Sequence, residues 1–133
     1  KFLRREQLIH GSTASVYGMV KDVGSDKFLI SVIDDRKIIL LDSDGEKKFE
    51  KNYINNGDLS LQYYHFGPGN ELIVITDTLQ EFSYLYDGSG NLINSIPIEN
   101  SHGVSVLYSR SNNEIALFTS YGNRLDKYRF KLR

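Results

Sequence analysis

Apolar residues along this chain gather in short blocks separated by polar turns. Three blocks share a layout: "SDKFLISVID" from Ser25, "GNELIVITD" from Gly69 and "NNEIALFTS" from Asn112. Each is a polar turn and a charged residue, then an apolar run closing on small polar residues. "FLISVI", "IILL", "LIVI" and "IALF" are nearly continuous, which predicts strands buried on both sheet faces rather than on one. A second column consists of "DSDGE" at 42–46 and "DGSGN" at 87–91, each followed by a strand-like tail, "EKKFEKNYI" and "NLINSIPI". The opening "KFLRREQLI" resembles such a tail without its turn.

Phe28, Leu72 and Ile115 open the three runs, a repeat of about 44 residues with no helical periodicity. That period matches one four-stranded propeller blade. The expected fold is therefore all-β and β-propeller-like, with three blades in one domain over 1–133: repeats at 10–54, 55–98 and 99–133, preceded by a lone outer strand at 1–9. Innermost strands are predicted at 15–21, 60–66 and 104–109. The second strands fall at 27–33, 71–76 and 114–119, and the third at 37–42, 81–87 and 125–130. Outer strands fall at 2–9, 47–54 and 92–98. A β-sandwich is the rival reading.

The two Asp–Gly segments then read as hairpin turns between third and fourth strands, with Gly45 and Gly90 supplying a positive φ. A calcium loop is the alternative. It needs oxygen ligands at alternate positions and a bidentate Glu at the twelfth, whereas Glu46 is followed by Lys47 and Lys48.

Composition narrows the function classes. Lys plus Arg number 16 against 17 Asp plus Glu, so no net field favours nucleic acid or a membrane surface. No apolar run approaches the ~18–20 residues of a membrane-spanning helix. Cysteine is absent, which removes disulfides, thiolate metal sites and cysteine nucleophiles. The chain begins at Lys1 without Met or a signal-peptide apolar run, so a mature product or a piece of a longer protein is expected.

The units "FLISVIDDRKIILLDSDGEKKF" and "LIVITDTLQEFSYLYDGSGNLI" resemble the six-bladed NHL and YWTD-like repeats of the β-propeller superfamily. "YLYDGSGNL" also resembles the core of a YD/Rhs repeat, whose period is about half as long. The first resemblance spans nearly the whole chain and implies fold alone. No YWTD tetrapeptide is present, and no catalytic residue or metal ligand carries over.

On a propeller, binding chemistry collects on loops held by the rigid blades. The candidate loop-face residues are His10, Asp34, Asp35, Arg36, Asn56, Asp58, Asp77, Asn100, His102, Tyr121 and Arg124. His10 and His102 each precede Gly; they are candidates for a metal or a general base, or else merely turn the chain into the next strand. Asp34-Asp35-Arg36 could bind a polar ligand, or cap its own hairpin. His65 and the basic run "KFLRRE" read as structural. No catalytic residue and no cofactor is assigned. The expected function is a non-catalytic binding or assembly module for protein or glycan, without nucleic acid or membrane insertion. The alternative is a metal-assisted lactonase, other hydrolase or lyase at the channel mouth. Three blades cannot close a ring, since propellers have about 4–8. Two chains exchanging their N-terminal strands, to complete the blade ending in "RLDKYRFKL", would give a six-bladed homodimer.

Overall fold

A computed structural model describes residues 3–34, 36–53 and 58–132 of the chain. The described residues form an all-β structure without a helix. Unit one comprises β1 (Val16–Val23), β2 (Phe28–Ile33), β3 (Lys37–Leu41) and β4 (Lys47–Asn52). Unit two comprises β5 (Leu59–His65), β6 (Glu71–Asp77), β7 (Phe82–Asp87) and the two-residue β8 (Ile98–Glu99). Unit three comprises β9 (Ser105–Ser109), β10 (Glu114–Tyr121) and β11 (Arg124–Lys131). Each unit is an antiparallel meander. Units one and two join into one curled eight-stranded sheet, ordered β4-β3-β2-β1-β5-β6-β7-β8, while unit three is a separate three-stranded sheet. The join is slight: β1 and β5 run parallel only where Asp22 and Val23 face Tyr63 and Tyr64.

The core explains the continuous apolar runs. One cluster packs Val20, Leu29, Ile38, Leu40 and Phe49 of unit one against Tyr63, Ile73 and Ile75 of unit two. A second packs Leu72, Val74, Leu85 and Ile98 on the other face of unit two against Val104, Ile115 and Leu117 of unit three. Consecutive residues of β6 point to opposite faces, and here both faces are covered. The alternating exposure of β11 marks the other case, a strand with one face toward solvent.

The inner three strands of every unit form close to where the apolar pattern predicts them. Gly45 and Gly90 have φ of 87° and 86°. In each turn the preceding Asp also binds the backbone: Asp42 Oδ1 accepts from the N–H groups of Asp44 and Glu46, and Asp87 Oδ1 from those of Ser89 and Asn91, all at 2.9 Å. No cation is needed to hold either loop. Gly90→Val is expected to lower stability by roughly 1–3 kcal/mol through backbone strain, read as a reduced melting midpoint. An unchanged midpoint would contradict that requirement.

Of the outer strands, the one expected at 47–54 forms as β4, and the other two depart from expectation. Residues 92–98 form only an isolated bridge, Tyr86 to Leu92, before β8. Pro97 has no N–H to donate to a ladder. Asn94 replaces a strand neighbour with its side chain: its Oδ1 accepts from Leu85 N–H at 2.7 Å, and its Nδ2 donates to the Ile96 carbonyl at 2.8 Å. The strand expected at 2–9 is not formed by residues 3–9; Phe2 lies outside the described residues. A strand exists only against a partner edge, and the edge predicted for this one belongs to a second chain.

Candidate functional site

Strand register fixes which loops share an end of the molecule. Val16 pairs with Ile33, Leu59 with Asp77, and Tyr121 with Arg124, so Asp34, Asp58, Asp77, Tyr121 and Arg124 lie at or beside these paired strand ends. Much of their hydrogen-bonding capacity is spent on the fold. Asp34 Oδ1 accepts from Arg36 N–H at 2.9 Å and Lys37 N–H at 2.8 Å, which caps its own hairpin. Ser12, Ala14, Asp34, Arg36 and Lys37 line a shallow hollow of about 220 Å³ beside it. Asp35 and Asn56 lie outside the described residues.

In unit two, Asp77 is almost fully buried. Its Oδ1 accepts from Leu79 and Gln80 N–H groups at 3.1 and 2.9 Å, and its Oδ2 accepts from Tyr53 Oη at 3.1 Å. Asp77 therefore caps a turn and ties units one and two together. Asp58 is exposed, and its carbonyl accepts from the Thr78 N–H and hydroxyl.

In unit three, Asn100 is completely buried. Its Nδ2 donates to Ser83 Oγ at 2.9 Å, and Oδ1 accepts from Ser120 and His102 N–H groups at 3.3 and 3.4 Å. Ser83 Oγ lies 2.8 Å from Thr76 Oγ1, which continues the network into β6. Arg124 lies over the Tyr121 ring at 5.5 Å and forms ion pairs with Glu99 at 2.9 Å and Asp126 at 2.8 Å. His10 and His102 are exposed. Among the described residues no three His, Asp or Glu side chains form a group that could hold a metal ion.

A larger cavity lies at the opposite end of the strands, where the turns 24–27 and 42–46 meet the end of β5. It measures about 550 Å³, and its lining includes Asp22, Phe28, Asp44, Tyr63, His65 and Glu71. Tyr63 Oη donates to Glu71 Oε2. Burial, then Glu71, then Asp22 hold the Tyr63 phenol well above its ordinary pKa, so it stays a neutral donor. A Cβ on Gly88 would lie 3.0 Å from Glu71 atoms, so a side chain there would press on that carboxylate.

Sequence reasoning missed this cavity because it ended the first strand at residue 21. In the structure β1 continues to Val23, and its only two buried residues are Val20 and Asp22. That spacing of two was the available signal: an Asp in register with an inward Val points inward.

The chain matches no protein-family model, no curated protein and no solved structure. Functional inference therefore rests on its own residues.

Proposed function

We propose that this protein is a non-catalytic binding and assembly module in which the three units act as propeller blades. Two copies then pair into a six-bladed ring, and the loop ends offer a polar rim to protein or glycan. The observation that carries this reading is the asymmetry of the stack. Unit two is covered on both faces, whereas unit one leaves Tyr17, Met19, Val23 and Phe28 exposed, at 52%, 72%, 41% and 38%. Apolar surface of this extent on an otherwise packed sheet marks an interaction face. Unit three adds a second incomplete feature, since among the described residues β11 pairs only with β10 and leaves its other edge bare. The N-terminal segment of a second copy has the length and the unmade backbone bonds to occupy that edge.

Both strands of such a pair are basic: Arg4 and Arg5 in one, Arg124, Lys127, Arg129 and Lys131 in the other. Like charges facing each other weaken strand pairing, so association should tighten as salt screens them. Sedimentation equilibrium of the intact chain is expected to give twice the chain mass. Met19→Asp should give the single-chain mass with its β-sheet spectrum intact. A folded wild type that stays at the single-chain mass at tens of micromolar would overturn the paired half-propeller.

A further inference from the structure

Asp22 differs from the other turn-forming aspartates of this chain. Asp34, Asp42, Asp77 and Asp87 each use Oδ1 to accept two backbone N–H groups. Asp22 also begins a turn, and its backbone is satisfied there: its N–H donates to the Lys27 carbonyl, and its carbonyl accepts from Ser25 N–H. Its carboxylate takes no part. Asp22 is only 9% exposed, and its Oδ1 is buried without a hydrogen-bond partner among the described residues. No ion pair among the described residues includes it. A buried acceptor left unmade, and a buried charge left unpaired, are both unfavourable; natural structures retain such groups mainly where something else supplies the partner.

We propose that the cavity at Asp22 is a binding site for an organic cation, an alkyl ammonium or guanidinium. Four carboxylates line it, from Asp22, Asp42, Asp44 and Glu71, against two lysines, Lys27 and Lys48. Lys48 already pairs with Asp42 at 3.8 Å, and one Glu71 oxygen is occupied by Tyr63. The Tyr63 phenol is a neutral donor, so Asp22, Asp44 and Glu71 all remain uncompensated negative groups beside the single Lys27. Phe28, Leu29 and Tyr63 supply apolar and aromatic wall, which suits the alkyl stem of the cation and the face-on approach of its head. A hard divalent ion fits less well. It requires six or more oxygen ligands, and no three acidic or histidine side chains converge here among the described residues. The volume of about 550 Å³ lies in the range of small-ligand cavities. The site is made by units one and two alone, and of its lining Phe28 also belongs to the exposed face proposed for pairing, whereas its carboxylates do not.

The same chemistry is carried by free polyamines and by Lys or Arg side chains of a peptide, and titration calorimetry on the full chain separates them. The probes are spermidine, N-acetyl-arginine methylamide, and the uncharged N-acetyl-citrulline methylamide. At low salt one or both cations should bind saturably at one site, while the citrulline compound should show no saturable heat. Whichever cation binds more tightly identifies the source. Asp22→Asn should weaken binding at least tenfold, whereas Asp126→Asn, outside the cavity, should leave it unchanged. Asp22→Asn should also melt no lower than the wild type, because it removes an unpaired buried charge. Asp44→Asn, at an exposed position of the lining, provides a second variant and should weaken binding severalfold. Failure of both cations to bind, wild-type affinity in Asp22→Asn, or a marked fall in its melting temperature would each overturn the site.

Discussion

Alanine at Leu72, Ile73 and Ile75 is expected to destabilise the protein by about 2–5 kcal/mol at each position. These three residues of β6 are essentially inaccessible, and adjacent ones serve different cores. Ile73 and Ile75 pack toward unit one, while Leu72 packs toward unit three. A strand with one solvated face would show the opposite behaviour, with every second truncation nearly neutral. β11 provides that contrast within the same molecule. Tyr128 and Phe130 pack on the second core, whereas Lys127 and Arg129 face outward. Alanine at Lys127 or Arg129 should change stability by no more than about 0.5 kcal/mol. Denaturant unfolding of the single variants checks both halves. An alternating pattern of costs along β6 would contradict a middle sheet covered on both sides.

Asn100→Leu is expected to cost on the order of 3 kcal/mol, although leucine is apolar and of similar size. The amide serves three groups at once: it donates to Ser83 Oγ and accepts from the backbone of Ser120 and His102. Leucine leaves both N–H groups without that acceptor, at a side-chain position that is itself completely buried. It also cuts the link that runs from Thr76 through Ser83 into unit three. A fall in the denaturation midpoint of that size would establish Asn100 as a joint between sheets. A midpoint close to the wild type would return it to the set of residues available for binding.

The candidate loop face was legible in part. Local sequence placed Asp34, Arg36 and Asp58 between strands, where Asp and Gly break the apolar runs, whereas Asp77, Tyr121 and Arg124 are terminal residues of β6, β10 and β11. Whether a side chain in such a turn remains available was not legible. Asp34 binds N–H groups two and three residues ahead, a pattern that its neighbours alone permit. The fate of Asp77 and Asn100 depends on Tyr53, Ser83 and Ser120, which lie 17 to 24 residues away in the chain. The repeat spacing conveyed nothing about those contacts.

By itself, the sequence determined where most inner strands begin and end. Runs such as "FLISVI" and "LIVI" must leave water, and the glycines at 45 and 90 permit the positive φ that reverses the chain between them. These are local requirements, satisfied within a hairpin. Tertiary structure alone decided the rest. It extended β1 to Val23 by pairing Asp22 and Val23 with Tyr63 and Tyr64, and so turned a turn residue into a buried carboxylate. It also left residues 3–9 without a ladder, although their pattern suits a strand. Both outcomes have one physical cause: burial and strand pairing are properties of two segments together, and the second segment is not written in the first.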